Sequence, residues 1–270
     1  MHGIGNDFVL VDLIAPSAPR VPDPAALART VNDRRSGVGG DGLILVEPGD
    51  DAPFRMRMFN PDGTESEMCG NGVRCVARLL ADRGHAPGPD IAMETGAGVL
   101  GLHLLPDGRV RVDMGPARLD AYEIGMAGHQ GRFVDQDISI GDRTLPGTAV
   151  GMGNPHLVLF VDSAADVPLE VWGPELEHHP HFPNRVNVHF VEVVGPAALI
   201  QRTWERGAGV TLACGTGACA CAVAASITGR AEPHVQVALP GGVLEIEYAS
   251  DGTVWMTGPA EAVFEGSWSG

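Results

Sequence analysis

A cysteine followed by Gly-x-Gly occurs twice in this chain. Cys69 precedes Gly70-Asn71-Gly72, and Cys214 precedes Gly215-Thr216-Gly217. In both places a strand-like run comes before the motif and a run of small residues typical of a helix comes after it. A thiol at the start of a helix faces unpaired backbone N–H groups and the positive end of the helix dipole, which favour the thiolate. The sequence therefore predicts two activated cysteines.

The glycines of both motifs indicate the ligand that these cysteines serve. Without large side chains, the backbone amides of Gly70, Asn71, Gly215 and Thr216 can approach an anion closely. A carboxylate held between two such helix starts would have its α-carbon between two sulfurs. One thiolate could then remove the α-proton while a thiol returns a proton from the opposite face, with the helix ends stabilising the dianion. This chemistry inverts a stereocentre without a cofactor.

Further matches at nearly the same spacing indicate a duplicated unit. The two cysteines are 214 − 69 = 145 residues apart, and two other pairs share that offset. A Gly-Asn pair recurs at an offset of 153 − 5 = 148. Because all four matches occur in the same order, we expect a molecule of two pseudo-symmetric halves. The repeated pairs are Cys69 and Cys214, Glu47 and Glu192, Asn60 and Glu205, and Asn6 and Asn154.

Short strand-like runs separated by Gly and Pro dominate the chain, and helices are few. This pattern predicts a mixed α/β fold of the α+β kind. The predicted helices are one that starts at Pro24 and runs through residue 33, one from Cys69 to about 83 with Gly84 as cap, one from Cys214 to about 228 with Gly229 as cap, and one around 169–179. The predicted strands are 8–11, 43–46, 54–59, 99–105, 110–113, 157–161, 186–193, 235–239, 243–248 and 254–256.

The composition excludes several function classes. The 270 residues are 44% hydrophobic, and 34 acidic against 18 basic residues give a formal net charge of −16. Such a surface repels phosphate backbones and anionic lipid, so we expect neither nucleic acid nor membrane as a partner. No lysine is present, which rules out an internal aldimine with pyridoxal phosphate. The N-terminus lacks the features of a signal peptide, and five cysteines, an odd number, fit a reducing cytoplasm.

Other candidate motifs are weak. The Gly-x-Gly-x-x-Gly matches at 37–42 and 96–101 lead into strand-like runs rather than helices, which argues against a dinucleotide site. His178, His179 and His181 lack helical spacing, and Cys219-x-Cys221 lacks a second ligand pair. No metal site and no cofactor are therefore predicted.

With these motifs in view, the chain resembles the diaminopimelate epimerase family, cofactor-independent enzymes with two cysteines that interconvert LL- and meso-diaminopimelate. The resemblance runs through nearly the whole chain in the family's order. The matching segments are MHGIGNDFVLVD (1–12), RRSGVGGDG (34–42), FNPDGTESEMCGNGVRC (59–75), MGNPH (152–156), FPNRVNV (182–188) and WERGAGVTLACGTGACA (204–220).

The resemblance implies two similar halves, each a curved mixed sheet or barrel around a central helix, with the site in the cleft between them. The halves are expected at 1–116 with a C-terminal return strand at about 260–270, and at 117–259. It also implies a cytoplasmic homodimer in lysine and peptidoglycan precursor biosynthesis, with diaminopimelate as its small-molecule partner.

The resemblance assigns roles position by position. Cys69 matches the proton donor and Cys214 the acceptor, and His156 and Glu205 match side chains that assist catalysis. A specific site for a substrate with two amino-acid heads needs a cation and polar amides, which Arg206 and the asparagines supply. The expected substrate-binding residues are Asn6, Asn60, Gly70, Asn71, Asn154, Asn187, Glu205, Arg206, Gly215 and Thr216.

Three features depart from the family pattern. The strand that often precedes Met-His-Gly is missing, Gly42 stands where some members have a substrate-contacting Gln, and Phe264 stands where some have a dimer-contact Tyr. Two other interpretations stay open at this stage. The same machinery could act on another amino acid, or the protein could be a redox device in which Cys69 and Cys214 form a regulatory disulfide.

Overall fold

The computed structural model describes residues 1–268 and divides the chain into two units. Unit 1 contains Met1–Asp113 and the C-terminal segment that begins at Thr257, and unit 2 contains Met114–Met256. The boundaries expected from sequence lie a few residues from these and stay a prediction. The end of the expected return strand, 269–270, lies outside the described residues.

Five helices and seventeen strands make up the described part of the chain. The helices are α1 (Pro24–Val31), α2 (Gly70–Asp82), α3 (Ala121–Ile124), α4 (Leu169–Glu177) and α5 (Gly215–Ile227). The first eight strands are β1 (His2–Gly3), β2 (Asn6–Asp12), β3 (Gly42–Pro48), β4 (Phe54–Phe59), β5 (Glu65–Ser66), β6 (Asp90–Thr95), β7 (Gly98–Leu104) and β8 (Val110–Pro116). The others are β9 (Gln136–Ile140), β10 (Arg143–Gly151), β11 (Pro155–Phe160), β12 (Asn187–Gly195), β13 (Ala198–Glu205), β14 (Gly209–Val210), β15 (His234–Leu239), β16 (Gly242–Tyr248) and β17 (Thr253–Gly258).

The strand pairings repeat between the units. In unit 1, β2 runs parallel to β3, β3 antiparallel to β4, β4 parallel to β6 and β6 antiparallel to β7. In unit 2, β11 to β12, β12 to β13, β13 to β15 and β15 to β16 follow the same order of parallel and antiparallel pairing. The helices α2 and α5 occupy equivalent places, each before the strand that returns in parallel. This topology confirms the duplication inferred from the repeated motifs.

Each repeated helix lies at the centre of its unit. In unit 1, α2 packs against β1, β2, β4 and β7. In unit 2, α5 packs against six strands, namely β10, β11, β12, β13, β15 and β16. Its sequence GTGACACAVAASI is small or apolar on every side, as a helix surrounded by strands requires, and most of its residues are buried. The mixed α/β fold with central helices agrees with the sequence-based prediction.

The helix boundaries follow from local chemistry. The Asp23 carboxylate caps α1 by accepting the N–H of Ala26, and Pro24 occupies the first turn. After α2 and α5, Gly84 and Gly229 adopt φ of +70° and +69°, the left-handed conformation in which glycine ends a helix. Both predicted caps are confirmed. None of the helices within residues 1–268 is long and apolar enough to cross a membrane.

One predicted element is wrong, and others were missed. The return strand expected at about 260–270 is not formed within residues 260–268. The last strand of the described chain is β17, which corresponds to the strand predicted at 254–256 and ends at Gly258. Pro259 follows and has no N–H for a ladder, and beyond it an isolated bridge joins His2 and Glu261. Strands β6, β9, β10 and β13 and helix α3 were not predicted. Pro146 and Gly147 interrupt the strand pattern of β10, and α3 is only four residues long. Both Gly-x-Gly-x-x-Gly motifs lead into strands, β3 and β7, as expected.

Candidate active site

Cys69 caps the N-terminus of α2 in unit 1. Its Sγ accepts the N–H of Gly72 at 3.4 Å, and the Oδ1 of Asn6 lies 3.9 Å from the same sulfur. A Cβ at position 72 would lie 2.9 Å from Cδ1 of Ile44 and 3.7 Å from the Cys69 sulfur, so the motif needs glycine here. The first turn of α2 thus places a half-buried sulfur between an amide donor and an amide oxygen.

Asn6 is held with its oxygen toward Cys69. Its Nδ2 donates to Oδ2 of Asp41 at 2.7 Å, and its Oδ1 accepts from Nδ2 of Asn71 at 3.1 Å. Asp41 is fixed in turn by Arg34, whose Nη2 lies 2.8 Å from its Oδ1. Because a carboxylate accepts hydrogen bonds and cannot donate them, Asp41 fixes the orientation of the Asn6 amide. Sequence reasoning missed the part played by Asp41.

Arg74 supports the same helix start from within. It is completely buried, and its guanidinium donates to the carbonyl oxygen of Gly70 at 3.0 Å, to Oδ1 of Asn71 at 2.9 Å and to the carbonyl oxygen of Pro259 at 3.2 Å. The only hint in the sequence was a charged residue four positions after Gly70 in an otherwise apolar stretch. Arg74 therefore orders the two residues predicted to hold the reacting carboxylate.

Two other unit 1 positions have simple local explanations. Asn60 lies in the turn after β4, where its carbonyl accepts the N–H of Gly63 and its Nδ2 donates to Oγ1 of Thr64 at 3.0 Å. At Gly42 a Cβ would lie 2.9 Å from Cε of Met58, so a glutamine there requires the neighbouring side chain to move.

Cys214 is the N-cap residue of α5 and is buried. Burial raises the pKa of its thiol well above the ordinary value, and the Glu205 carboxylate raises it further. The N–H of Gly217 and the hydroxyl of Thr216, 3.8 Å from the sulfur, act in the opposite direction but do not prevail. The expectation that a helix start lowers the pKa of both thiols is therefore wrong for Cys214, because desolvation outweighs the helix end.

His189, which sequence reasoning missed, lies against the Cys214 motif. A Cβ at Gly217 would lie 2.3 Å from Cε1 of His189 and 3.0 Å from the Cys214 sulfur. The imidazole therefore occupies the space that a side chain at 217 would need. No local pattern in the sequence indicates this contact, because it joins β12 to the first turn of α5.

His156 is buried, and both of its ring nitrogens are hydrogen-bonded within the protein. Its Nε2 lies 2.8 Å from Oδ1 of Asn154, and its Nδ1 lies 2.8 Å from Nε2 of His189. Burial lowers the pKa of His156 well below its ordinary value, with smaller contributions from His189 and Arg206. The two ring nitrogens of His156 therefore contact His189 and Asn154, and its predicted assisting role stays a prediction.

Glu205 is the last residue of β13, and Arg206 begins the loop that follows. Asn187 holds it, because its Oδ1 accepts the backbone N–H of Arg206 at 3.0 Å while its Nδ2 donates to the carbonyl oxygen of Pro155 at 2.9 Å. Arg206 itself is exposed, with Nη1 3.3 Å from the carbonyl oxygen of Asn184. Unit 2 thus presents a guanidinium on a loop that an asparagine ties to the start of β11.

Glu177, at the end of α4, secures the same loop. Its Oε1 accepts the N–H of Gly207 at 2.9 Å, and its Oε2 accepts the indole N–H of Trp204 at 2.7 Å. Burial alone would raise the pKa of this carboxyl, but these donors and Arg185 lower it overall. Glu177 is therefore an ionised, buried clamp that the sequence did not reveal.

Each unit thus holds one of the two cysteines together with part of the predicted site residues. In unit 1 these are Asn6, Cys69, Gly70 and Asn71, whereas the hydrogen bonds of Asn60 stay within its own turn. The set in unit 2 comprises Asn154, His156, Asn187, Glu205, Arg206, Cys214, Gly215 and Thr216. Within residues 1–268 no group of three or more His, Cys, Asp or Glu side chains is arranged to hold a metal ion.

Comparison of the fold with solved structures gives distant matches over nearly the whole chain. A PhzF-family phenazine biosynthesis protein from Bacillus anthracis matches with a TM-score of 0.65 at 18% identity, covering 96% of this chain and 92% of its own. A hydroxyproline epimerase from Agrobacterium vitis, with bound trans-4-hydroxy-L-proline, matches with a TM-score of 0.62 at 17% identity, covering 96% and 87%. At these identities the likeness establishes the fold alone.

Sequence comparison is more specific. The family model described as diaminopimelate epimerase matches residues 1–119 and 148–263. The chain is 53% identical to the diaminopimelate epimerase of Desulforudis audaxviator, covering 99% of this chain and 97% of the relative. It is 50% identical to that of Moorella thermoacetica, covering 98% and 96%. Taken with the two Cys-Gly-x-Gly helix starts, these matches show that the chain belongs to the diaminopimelate epimerase family.

Proposed function

We propose that the protein converts LL-2,6-diaminopimelate to meso-diaminopimelate without a cofactor, with Cys69 and Cys214 as the two acid–base groups. The observation that carries the proposal is the pair of equivalent helix starts, each with a cysteine at the N-cap and glycines that leave the amides open. Family membership at about half identity over nearly the full chain supports the substrate.

The proton transfers balance without any further reactant. A thiolate takes the α-proton, and the C–H electron pair passes to the carboxylate as a dianion that accepts from the N–H groups of Gly70, Asn71, Gly215 and Thr216. The thiol of the other cysteine gives its proton to the opposite face, so the two sulfurs exchange protonation states. The resemblance assigns donation to Cys69 and acceptance to Cys214 in one direction, and the reverse reaction exchanges the roles.

The raised pKa of Cys214 supports its resting as the thiol before the substrate binds. That form is ready to donate to an α-carbon whose proton is taken by Cys69. For the opposite direction Cys214 must become the thiolate, and the Gly217 N–H and Thr216 hydroxyl are the groups in contact with its sulfur that favour that form.

We assign the distal head of the substrate to polar residues in both repeats. Arg206 suits the distal carboxylate because a guanidinium binds it in a bidentate manner. Asn60 and Asn187 supply further donors and acceptors for this head. Asn6, Asn154 and Glu205 make other contacts to the substrate, and His156 and Glu205 assist at the reacting end. The exposed guanidinium of Arg206 on a secured loop supports this assignment.

We also propose that the enzyme acts as a cytoplasmic homodimer in lysine and peptidoglycan precursor biosynthesis. Five free thiols are consistent with a reducing compartment. Val263 and Phe264, with 63% and 67% of their surface exposed, offer an apolar contact for a second copy.

Proton NMR in D₂O tests the reaction directly. Purified protein with LL-diaminopimelate, a reductant and no added cofactor should incorporate deuterium at the α-carbon and form the meso isomer. Cys69→Ala and Cys214→Ala should each abolish epimerisation, whereas Cys221→Ala, a buried cysteine further along α5, should retain it. If the wild-type protein under reducing conditions exchanges no α-proton, the proposed substrate is wrong, and a panel of other amino acids comes next.

A further inference from the structure

Five polar side chains form a continuous hydrogen-bonded chain inside unit 2. Nε2 of Gln201 lies 2.8 Å from Oγ1 of Thr203 and 3.2 Å from Nδ1 of His189, and Oγ1 of Thr203 lies 2.9 Å from the same nitrogen. The chain continues from His189 through His156 to Asn154. His189 and Thr203 face each other across β12 and β13, so the sheet register sets the spacing. No role predicted above uses His189 or Gln201.

The direction of these hydrogen bonds follows from the orientation of the Gln201 amide, in which Nε2 and not Oε1 faces Thr203 and His189. Its Nε2 can only donate, so Oγ1 of Thr203 accepts from it, and both neighbours of the His189 Nδ1 serve as donors. Nδ1 of His189 is therefore an acceptor, and the proton of a neutral ring lies on Nε2. Oε1 of Gln201 has no hydrogen-bond partner among the described residues. Exchanging the two amide atoms would reverse every donor along the chain, so the protonated nitrogen of each imidazole is the quantity that tests this orientation.

The donor direction at His189 in turn determines the donor direction at His156. The His189 Nε2–H donates to Nδ1 of His156, so the proton of the neutral His156 ring lies on Nε2 and is donated to Oδ1 of Asn154. Burial lowers the pKa of His189 to about 3 and that of His156 well below its ordinary value, which keeps both rings neutral near pH 7. The oxygen of Asn154 therefore accepts from His156, and this hydrogen bond sets the orientation in which its NH₂ group can donate to a ligand.

We propose that His189 is a positioning residue that fixes His156 as the Nε2–H tautomer and thereby turns the Asn154 amide so that its NH₂ group binds a carboxylate oxygen of the substrate. The identity of that carboxylate rests on the proposed function. The assignment of the His156 and His189 tautomers does not depend on it. In this orientation the NH₂ group of Asn154 can donate to a carboxylate oxygen, whereas its own oxygen faces His156.

Asn6, the asparagine of unit 1 that corresponds to Asn154 in the repeat, is held in the opposite orientation. In unit 1, Asp41 takes the NH₂ group of Asn6 and leaves its oxygen toward Cys69. In unit 2, His156 takes the oxygen of Asn154 and leaves the NH₂ group. Equivalent asparagines are thus held in opposite orientations by partners of opposite hydrogen-bonding character, an acceptor in one case and a donor in the other.

The first test is spectroscopic and needs no substrate. Long-range ¹H–¹⁵N correlation spectra of wild-type protein labelled in its histidine rings report which nitrogen carries the proton. We expect both His156 and His189 to be neutral and protonated on Nε2 at pH 7.5, with assignments made by comparison with single variants. If either ring is protonated on Nδ1, or is an imidazolium, the proposal is overturned.

The second test uses a matched pair of variants. His189→Phe keeps a ring of similar shape but removes the donor to His156, whereas His189→Gln can supply an amide N–H in its place. With LL-diaminopimelate, we expect His189→Phe to raise KM about tenfold, the effect of losing one hydrogen bond to a charged group, with kcat changed much less. We expect His189→Gln to recover most of that loss.

The outcomes separate this inference from the proposed function. Equal losses in the two variants, or a fall in kcat with KM unchanged, would overturn the positioning role. If the wild-type protein does not turn over diaminopimelate, the proposed function fails, yet the spectra still decide the tautomers. If His189→Phe does not fold, the wild-type spectra together with His189→Gln kinetics keep the question decidable.

Discussion

At Cys214, burial and the helix start act on one thiol in opposite directions. Desolvation and the nearby Glu205 carboxylate disfavour the thiolate, while the Gly217 N–H and the Thr216 hydroxyl favour it. The net result is a raised pKa, because a helix end and two weak donors do not replace the water that burial removes. The protonation state of this residue is thus set by its neighbours as much as by its motif.

Removing the charge of Glu205 should make Cys214 more reactive. In Glu205→Gln the like-charge repulsion on the thiolate disappears, so the pKa of Cys214 should fall. We expect alkylation of Cys214 by iodoacetamide at pH 7.5 to become severalfold faster, measured by peptide mass spectrometry in a Cys69→Ser background.

Thr216→Val is the matched control for this prediction. It removes a hydroxyl that lowers the pKa of the same thiol, so alkylation should become slower than in the Cys69→Ser parent. If both substitutions change the rate in the same direction, access to the sulfur rather than its charge state controls the reaction.

At the scale of elements, α4 and the loop after β13 act as one structure. Glu177, at the end of α4, accepts hydrogen bonds from the indole N–H of Trp204 and the backbone N–H of Gly207. The Asn187 side chain in β12 accepts the backbone N–H of Arg206. A Cβ at Gly173 would lie 2.5 Å from Cγ of Trp204, so the helix and the indole pack in direct contact. The position of the predicted substrate-binding arginine therefore depends on a helix that carries none of the predicted site residues.

Glu177→Gln should loosen this loop. The amide can offer one oxygen where the carboxylate offers two, so its NH₂ group must face either the Trp204 or the Gly207 N–H. We expect the free energy of unfolding to fall by about 1–3 kcal/mol, as for a buried donor left unsatisfied. KM for diaminopimelate should rise in the same variant. Urea unfolding measures the free energy of unfolding, and steady-state kinetics measure KM.

Glu170→Gln provides the control, because Glu170 lies exposed in the first turn of the same helix. It makes the same chemical change and should alter both quantities only slightly. A Glu177→Gln enzyme with wild-type KM and stability would show that the clamp does not govern the loop.

At the scale of the whole molecule, buried thiols should make stability depend on alkaline pH. Burial raises the pKa of Cys75 to about 12 and those of Cys214 and Cys221 well above the ordinary value. An unfolded thiol ionises near pH ~8.5. Above that pH the unfolded chain has lost protons that the native protein keeps, so the free energy of unfolding falls by up to about 1.4 kcal/mol per pH unit for each thiol.

Urea unfolding in reducing buffer between pH 7.5 and 10 measures this dependence. Cys221→Ala deletes one of the titrations, so its free energy of unfolding should fall less steeply with pH than that of the wild type. Comparing slopes removes the constant cost of the smaller side chain. Identical slopes would show that Cys221 ionises alike in the folded and unfolded states.

Several features of this protein could be predicted from local residue patterns. The two Cys-Gly-x-Gly motifs located both helix starts, and Gly84 and Gly229 marked where those helices end. The repeat offset predicted two equivalent units, which the matching order of strand pairings confirms. These features depend on backbone conformation and on spacing along the chain, and residues close together in the sequence determine both. The same residues supported assignment to the family.

The tertiary structure alone decided the contacts between elements. Asp41 on Asn6, His189 on His156 and Gly217, and Glu177 on Gly207 each join residues distant in sequence, so no local pattern announces them. The raised pKa of Cys214 was not predicted for the same reason. The motif shows that the cysteine begins a helix, but it does not show how far packing removes water from the thiol. Helix starts, helix ends and repeats can be predicted from sequence because neighbouring residues determine them. Desolvation and hydrogen-bond direction depend on residues that meet only when strands and helices pack together.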